Sequence, residues 1–162
     1  MWEPILIAGG VAVFLGVFGG LMTPIGGWYR NLRKPPWQPP DWLFGPAWTL
    51  ILGMAAASAV LAWRAAPDAT SQRDIVILFV TNALAHAAWS PLFFRARRPD
   101  WAMIEVVFLW ASLVALVVGL WPISPLAAWL IAPYLAWVSF AAWLNWTIVK
   151  LNRPFGVRPK EV

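Results

Sequence analysis

Five long apolar stretches constrain this chain more than any other feature. A helix needs ~20 mostly apolar residues to cross a bilayer core of ~30 Å. No stretch alternates strictly between apolar and polar residues, as the strands of a membrane barrel do. The sequence therefore predicts an all-α integral membrane protein, a bundle of five transmembrane helices. The stretches cover residues 4–25, 43–65, 74–95, 101–121 and 126–149.

Little of the chain lies outside these stretches. Of its 162 residues, 61% are hydrophobic and 12% are charged, so we expect one domain over residues 1–152. The basic, proline-containing tail over residues 153–162 is expected to be disordered. The first stretch lacks a basic leader and a small-residue cleavage site, which indicates a retained span. With no cysteine, disulfides, thiol catalysis and cysteine–metal sites are excluded.

The net charge of +5 is distributed unevenly along the chain. Only Arg64 and Arg73 lie on one side of the spans, whereas ten cations lie on the other. This asymmetry indicates membrane orientation and not nucleic-acid binding. In the inner membrane of a bacterium, the N-terminus would be outside and the C-terminus cytoplasmic. The ten cations are Arg30, Arg33, Lys34, Arg95, Arg97, Arg98, Lys150, Arg153, Arg158 and Lys160.

The first connection, residues 26–41, is the only long one. Four prolines within residues 35–40 exclude a regular helix there and favour an extended path. Long connections in compact proteins usually serve a function. Asp41 is a predicted N-cap of the second span.

Tryptophan is unusually abundant, with 14 residues. Those near span ends fit an interfacial belt, namely Trp2, Trp42, Trp63, Trp101, Trp121, Trp129 and Trp146. Four others lie well inside spans, where a buried indole N–H needs an acceptor. We expect some of Trp89, Trp110, Trp137 and Trp143 to line a cavity for a flat, apolar molecule. For Trp110 and Trp143 the alternative is packing against lipid.

Helical spacing groups several residues on common faces, and we infer a pocket among these faces. The groups are Asn82, His86, Trp89 and Phe93 on the third span, Trp137, Ala141 and Asn145 on the fifth, and Trp48, Leu52 and Ala56 on the second.

Two ionisable residues lie inside spans, where such groups are costly and often functional. His86, the only histidine, is expected either to bond Asn82 or Asn145 across helices or to contact a ligand. Ligand contact includes axial ligation of a porphyrin iron, since imidazole suits iron. Glu105 is expected to snorkel or to pair with Arg95 or Arg97. No spacing here forms a metal cage or a hydrolytic triad.

Three ordered blocks resemble the translocator protein family, also called tryptophan-rich sensory proteins or peripheral-type benzodiazepine receptors. The first is Trp28-Tyr29-x-x-Leu32-x-Lys34-Pro35-x-Trp37-x-Pro39-Pro40, followed by Phe44 and Trp48-Thr49. The second is Trp89-Ser90-Pro91-Leu92-Phe93-Phe94. The third is Pro133-Tyr134-x-x-Trp137-x-x-Phe140-Ala141-x-x-Leu144-Asn145. The resemblance covers essentially the whole chain.

The resemblance implies a five-helix bundle, often homodimeric, with residues 26–41 as the lid of a ligand cavity. Family members bind protoporphyrin IX and haem-like tetrapyrroles, and synthetic isoquinoline carboxamides and benzodiazepines, without a required cofactor. Some bacterial members are reported to degrade porphyrin with light and oxygen, a role that maps to Trp48 and Trp137. By motif position, the ligand-binding residues are Tyr29, Trp37, Trp48, Leu52, His86, Trp89, Trp137, Ala141 and Asn145.

Departures from the family pattern refine these expectations. His86 replaces an asparagine, which favours haem over metal-free porphyrin, and Leu52 replaces a frequent aromatic residue. Glu105 replaces an aspartate. Animal members bind cholesterol, but the weak sterol pattern is broken here by Trp146, so cholesterol is not predicted.

The leading hypothesis is a tetrapyrrole-binding membrane protein with a sensing or trafficking role. The cations of the lid, Arg30, Arg33 and Lys34, are expected to meet porphyrin propionates. An enzyme-like porphyrin degradation is the alternative. A transporter has less support, because no charged relay crosses the spans and no internal repeat is evident.

Overall fold

The computed structural model describes residues 2–156 and consists of helices joined by short connections. Five helices in this range are long and apolar enough to cross a membrane, which confirms the predicted fold class. A short helix, Gly27–Asn31, lies in the first connection. The helix Ala69–Ser90, which is the third of the five long helices, continues into a π-helical turn, Pro91–Arg95. The helices are α1 Glu3–Leu21, α2 Gly27–Asn31, α3 Asp41–Ala65, α4 Ala69–Ser90, α5 Pro99–Leu120 and α6 Pro125–Asn152.

Local sequence explains where several helices begin. The Asp68 carboxylate accepts a hydrogen bond from the Ser71 backbone N–H at 2.7 Å and caps α4. The same hydrogen bond lowers the pKa of Asp68. The prediction that Asp41 is an N-cap is wrong, because α3 begins at Asp41 itself and Pro40 occupies the cap.

The helices surround the bundle axis in the order α1, α3, α6, α5 and α4, and α1 contacts α4 only loosely. The main core lies among α3, α4, α5 and α6 and includes Leu113, Leu116, Ile131 and Val138. Small residues allow α3 and α6 to approach closely. At this interface the buried Ser58 hydroxyl donates a hydrogen bond to the Ala127 carbonyl at 2.7 Å.

Two contacts show which connections share one end of the bundle. The Asn152 side chain at the end of α6 bonds the backbone of Arg33 in the first connection. Arg95, after α4, donates to the Leu21 carbonyl at the end of α1. Most of the cations assigned to one side are therefore gathered at one end, although their orientation in a membrane stays a prediction.

The tryptophans predicted for an interfacial belt are exposed on the bundle surface, except Trp63, which is half-buried. The predicted disordered tail falls largely on residues 157–162, which lie outside the described residues.

Candidate ligand-binding cavity

The main cavity lies beneath the first connection, between the second half of α1, the start of α3 and the ends of α4 and α6. Its volume is about 480 Å³, within the range of ~300–1,000 Å³ that is typical of small-molecule sites. The structure brings eight of the nine predicted ligand-binding residues around this cavity. They are Tyr29, Trp48, Leu52, His86, Trp89, Trp137, Ala141 and Asn145.

Trp37 is the predicted residue that does not line the main cavity. Its ring stacks on Trp143 with centroids 4.4 Å apart and meets Phe140 edge-on at 6.0 Å. Trp37 therefore attaches the first connection to the flank of α6, and Trp143 acquires a role that spacing did not predict.

Aromatic rings meet edge to face on one wall of the main cavity. The centroids of Trp48 and Trp137, the two residues for which the resemblance predicted a role in porphyrin degradation, are 6.2 Å apart. Phe44 meets Trp137 at 5.7 Å, and His86 meets Trp48 at 4.9 Å. These contacts fix the rings relative to one another and form a rigid apolar wall.

The indole N–H groups of Trp89 and Trp137 are buried without a hydrogen-bond partner anywhere in residues 2–156. A buried donor without an acceptor carries a cost of ~1–3 kcal/mol. Since both tryptophans line the cavity, a ligand with acceptor atoms would remove that cost.

His86 has a different partner from those predicted. Its Nδ1 is hydrogen-bonded to the Tyr134 hydroxyl at 2.7 Å. The prediction of Asn82 or Asn145 as partner is wrong: Asn82 donates to the Ser112 hydroxyl at 2.9 Å, across α4 and α5.

Asn145 is also hydrogen-bonded to the backbone of a neighbouring helix. With its amide nitrogen facing the Pro99 carbonyl, it donates there and accepts from the Met103 backbone N–H, both at 3.2 Å. It thereby joins α6 to the first turn of α5. This contact could not be predicted from the spacing of the residues within α6.

Glu105 on α5 is half-buried, and the predicted pairing with Arg95 or Arg97 is wrong. Both carboxylate oxygens are buried without a partner in the described part of the chain. Arg95 is instead bound to α1 at the Leu21 carbonyl.

The first connection closes the cavity through Tyr29. The buried Tyr29 hydroxyl donates to the Asp41 carboxylate at 2.9 Å and accepts from the Gln38 amide at 3.1 Å. Burial, assisted by Asp41, raises the pKa of Tyr29 to about 12, so the phenol remains a donor. Lys34 Nζ lies 3.6 Å from the centre of the Tyr29 ring. The roles of Gln38 and Asp41 were not predicted from the sequence.

The cations predicted for the lid occupy its outer surface. Arg30 and Arg33 are exposed and Lys34 is half-buried, and none of the three lines the main cavity. Lys34 is close to the roof of the cavity, because its ammonium group covers the Tyr29 ring.

Asn152 connects the lid to α6 by two hydrogen bonds with one residue. Its amide oxygen accepts from the Arg33 backbone N–H at 2.8 Å, and its nitrogen donates to the Arg33 carbonyl at 2.9 Å.

We predict that Asn152→Ala opens the lid more often. Each lost hydrogen bond contributes ~0.5–1.5 kcal/mol, so dissociation of a cavity ligand should accelerate about 5-fold or more. Stopped-flow displacement of a ligand bound in the cavity measures this rate. The control is Asn31→Ala, which changes an exposed asparagine of the same connection. Equal rates in both variants would show that the two hydrogen bonds of Asn152 do not hold the lid closed.

A second cavity of about 310 Å³ lies in the half of the bundle away from the lid. It is lined mainly by apolar residues of α1, α3 and α4. Leu15 and Leu52 border both cavities and separate them, and Tyr134 lines the second one.

These features define a class: five-helix integral membrane proteins with an aromatic cavity beneath a proline-rich first connection. The sequence model of the TspO/MBR family matches residues 8–151. The chain belongs to the TspO/MBR family, as the motifs of the first connection, α4 and α6 predicted.

Relatives from distant organisms are similar over most of their length. The human translocator protein is 35% identical over 126 residues, covering 77% of this chain and 75% of the relative. The tryptophan-rich protein TspO of Chlorobaculum tepidum is 34% identical over 145 residues, or 88% and 92% of the two chains. Protein CrtK of Rhodobacter capsulatus is 34% identical over 138 residues, or 85% of each chain.

Proposed function

We propose that the main cavity binds a tetrapyrrole, such as protoporphyrin IX or haem, and that binding serves sensing or trafficking in the membrane. One observation carries the proposal: an aromatic cavity of about 480 Å³ under a lid whose outer surface carries three cations. A planar macrocycle with carboxylate side chains is apolar on its faces and anionic at one edge. Its faces match the aromatic cavity, and its anionic edge matches the cations of the lid.

The wall chemistry supports the same ligand class. The rings of Trp48, Trp137 and Phe44 are held edge to face, which provides apolar surface for a flat conjugated ring. The unpartnered indole N–H groups of Trp89 and Trp137 are donors for carboxylate or ring-nitrogen acceptors.

The direct test is titration of the purified protein, in lipid nanodiscs, with protoporphyrin IX. We expect saturable quenching of tryptophan fluorescence together with a shift of the porphyrin Soret band. Empty nanodiscs are the control, because porphyrins partition into lipid. A signal that grows linearly with porphyrin and matches empty nanodiscs would refute the proposal.

The lid cations should distinguish ligands by charge. We predict that Arg30→Gln, Arg33→Gln and Lys34→Gln together weaken protoporphyrin IX more than a neutral isoquinoline carboxamide. Partly exposed charge pairs contribute ~0.2–1 kcal/mol each, so the loss of three pairs should weaken the porphyrin about 3- to 150-fold at low salt. Competition titrations at two salt concentrations provide the measurement. Equal weakening of both ligands would show that the loop acts through its fold and not its charge.

The contact between Trp48 and Trp137 favours a second candidate, oxidation of bound porphyrin by molecular oxygen under light. Illumination of the porphyrin-loaded protein in air, with Trp48→Phe and Trp137→Phe as comparisons, tests it. A defined product formed only with wild-type protein would support this candidate. Bleaching that is equal in all variants would exclude a role for these side chains.

The resemblance also predicts a homodimer. Mass measurement by light scattering in detergent tests it, and a mass of one 18.1 kDa chain would contradict it.

A further inference from the structure

We propose that His86 and Tyr134 together form an iron-binding site: His86 Nε2 ligates the iron of haem, and Tyr134 is the residue that positions the imidazole. This inference rests on the proposed tetrapyrrole site and deepens it by assigning the metal form of the ligand.

The position of His86 leaves one ring nitrogen for a ligand. Nδ1 is engaged by the Tyr134 hydroxyl at 2.7 Å. His86 lines the main cavity, and its Nε2 has no hydrogen-bond partner among the described residues. Histidines that bind metals through one nitrogen usually have the other fixed by a hydrogen bond, as here.

Tyr134 is itself held firmly. It is 1% exposed, and it belongs to the main core. The Trp48 ring meets His86 edge-on at 4.9 Å and Tyr134 edge-on at 5.9 Å. Because the three rings brace one another, the imidazole has little freedom to rotate, and a fixed ligand loses less entropy when iron binds.

The Tyr134 hydroxyl is compatible with both tautomers of the imidazole, since it can donate or accept. When it donates to Nδ1, the ring proton resides on Nε2. For ligation that proton must reside on Nδ1, which then donates to the Tyr134 oxygen, and the free Nε2 lone pair forms a dative bond to iron. The number of protons and the oxidation state of iron are unchanged in this step.

The alternative is that His86 only links α4 to α6. A hydrogen bond between transmembrane helices contributes ~0.6 kcal/mol on average, and its loss would affect every cavity ligand alike. Iron dependence therefore separates the two roles, because only ligation distinguishes haem from metal-free protoporphyrin IX.

The experiment compares ferric haem with metal-free protoporphyrin IX on wild-type protein and on His86→Asn. Wild type should bind haem at least about tenfold more tightly, a difference of ~1.4 kcal/mol. In His86→Asn that preference should vanish, because the haem affinity should fall about tenfold more than the protoporphyrin IX affinity. His86→Ala should regain a nitrogen-ligated haem spectrum when free imidazole is added, which shows that the variant folds and that the site is intact.

Tyr134→Phe tests the positioning role. Haem should still bind, but without an acceptor for Nδ1–H the imidazole becomes a weaker donor to iron. The iron–histidine stretching band in resonance Raman spectra of the ferrous complex should therefore move to lower frequency. An unchanged band would reduce Tyr134 to a packing residue.

The possible failures differ. If wild type binds neither compound, the proposed tetrapyrrole function fails. If both compounds bind but haem spectra are the same in wild type and His86→Asn, binding stands and ligation by His86 is overturned.

Discussion

Trp137→Ala should weaken protoporphyrin IX binding about 5- to 150-fold, because losing a buried aromatic contact costs ~1–3 kcal/mol. Trp137 lies in the cavity wall between Phe44 at 5.7 Å and Trp48 at 6.2 Å. Truncation removes its ring face and one of the two unpartnered indole donors. It also releases two neighbouring rings that Trp137 holds in place, so we expect the upper part of this range.

Trp129→Ala is the matched control, since it makes the same change on the same helix. Trp129 is 63% exposed, does not line the main cavity and contacts Trp121 edge-on at 6.1 Å. Fluorescence titration of both variants in nanodiscs gives the comparison. If Trp137→Ala binds as wild type does, or if both variants weaken equally, the aromatic wall is not the binding surface.

The spans and the cavity faces follow from sequence because both depend on short-range periodicity. A span needs only enough apolar residues, and a helical face needs only regular spacing. Trp48 and Leu52 on α3, and Trp137 and Ala141 on α6, therefore reach one cavity in the structure as their spacing predicted.

The contacts between elements could not be predicted in the same way. They depend on how each helix is rotated and how far it slides along its neighbour, which packing decides and periodicity does not. His86 illustrates this: spacing placed it beside Asn82 on α4, but the rotation of α6 brings Tyr134 to its Nδ1. Similarly, Asn145 meets the start of α5, which no pattern within α6 indicates.

The path of the first connection could be predicted from the sequence, but its contacts with the rest of the bundle could not. Its prolines predicted an extended path, and residues 35–40 contain no helix. Its anchors were missed, because they join positions far apart in the chain. The hydrogen bonds between Arg33 and Asn152 join positions 119 residues apart, and Trp37 stacks on Trp143 instead of entering the cavity.

The close approach of α3 and α6 makes a second large effect expected, this time on stability. Ala62 lies one turn after Ser58 on the same face of α3. Ala62 and Ala127 have no exposed surface and belong to one buried cluster. A leucine at position 62 has no space unless the two helices separate.

Ala62→Leu should therefore lower the free energy of unfolding by ~1–3 kcal/mol, the usual cost of overpacking a tight interface. Ser58→Ala is the control, since it keeps the small volume and removes only the hydrogen bond to Ala127, at ~0.6 kcal/mol. Reversible unfolding in mixed detergent, followed by helical circular dichroism, measures both. A larger loss for Ser58→Ala would mean that the hydrogen bond, and not the small volume, holds α3 against α6. Because α3 carries Trp48 and α6 carries Trp137, separation of these helices should also weaken ligand binding in Ala62→Leu under conditions where the protein remains folded.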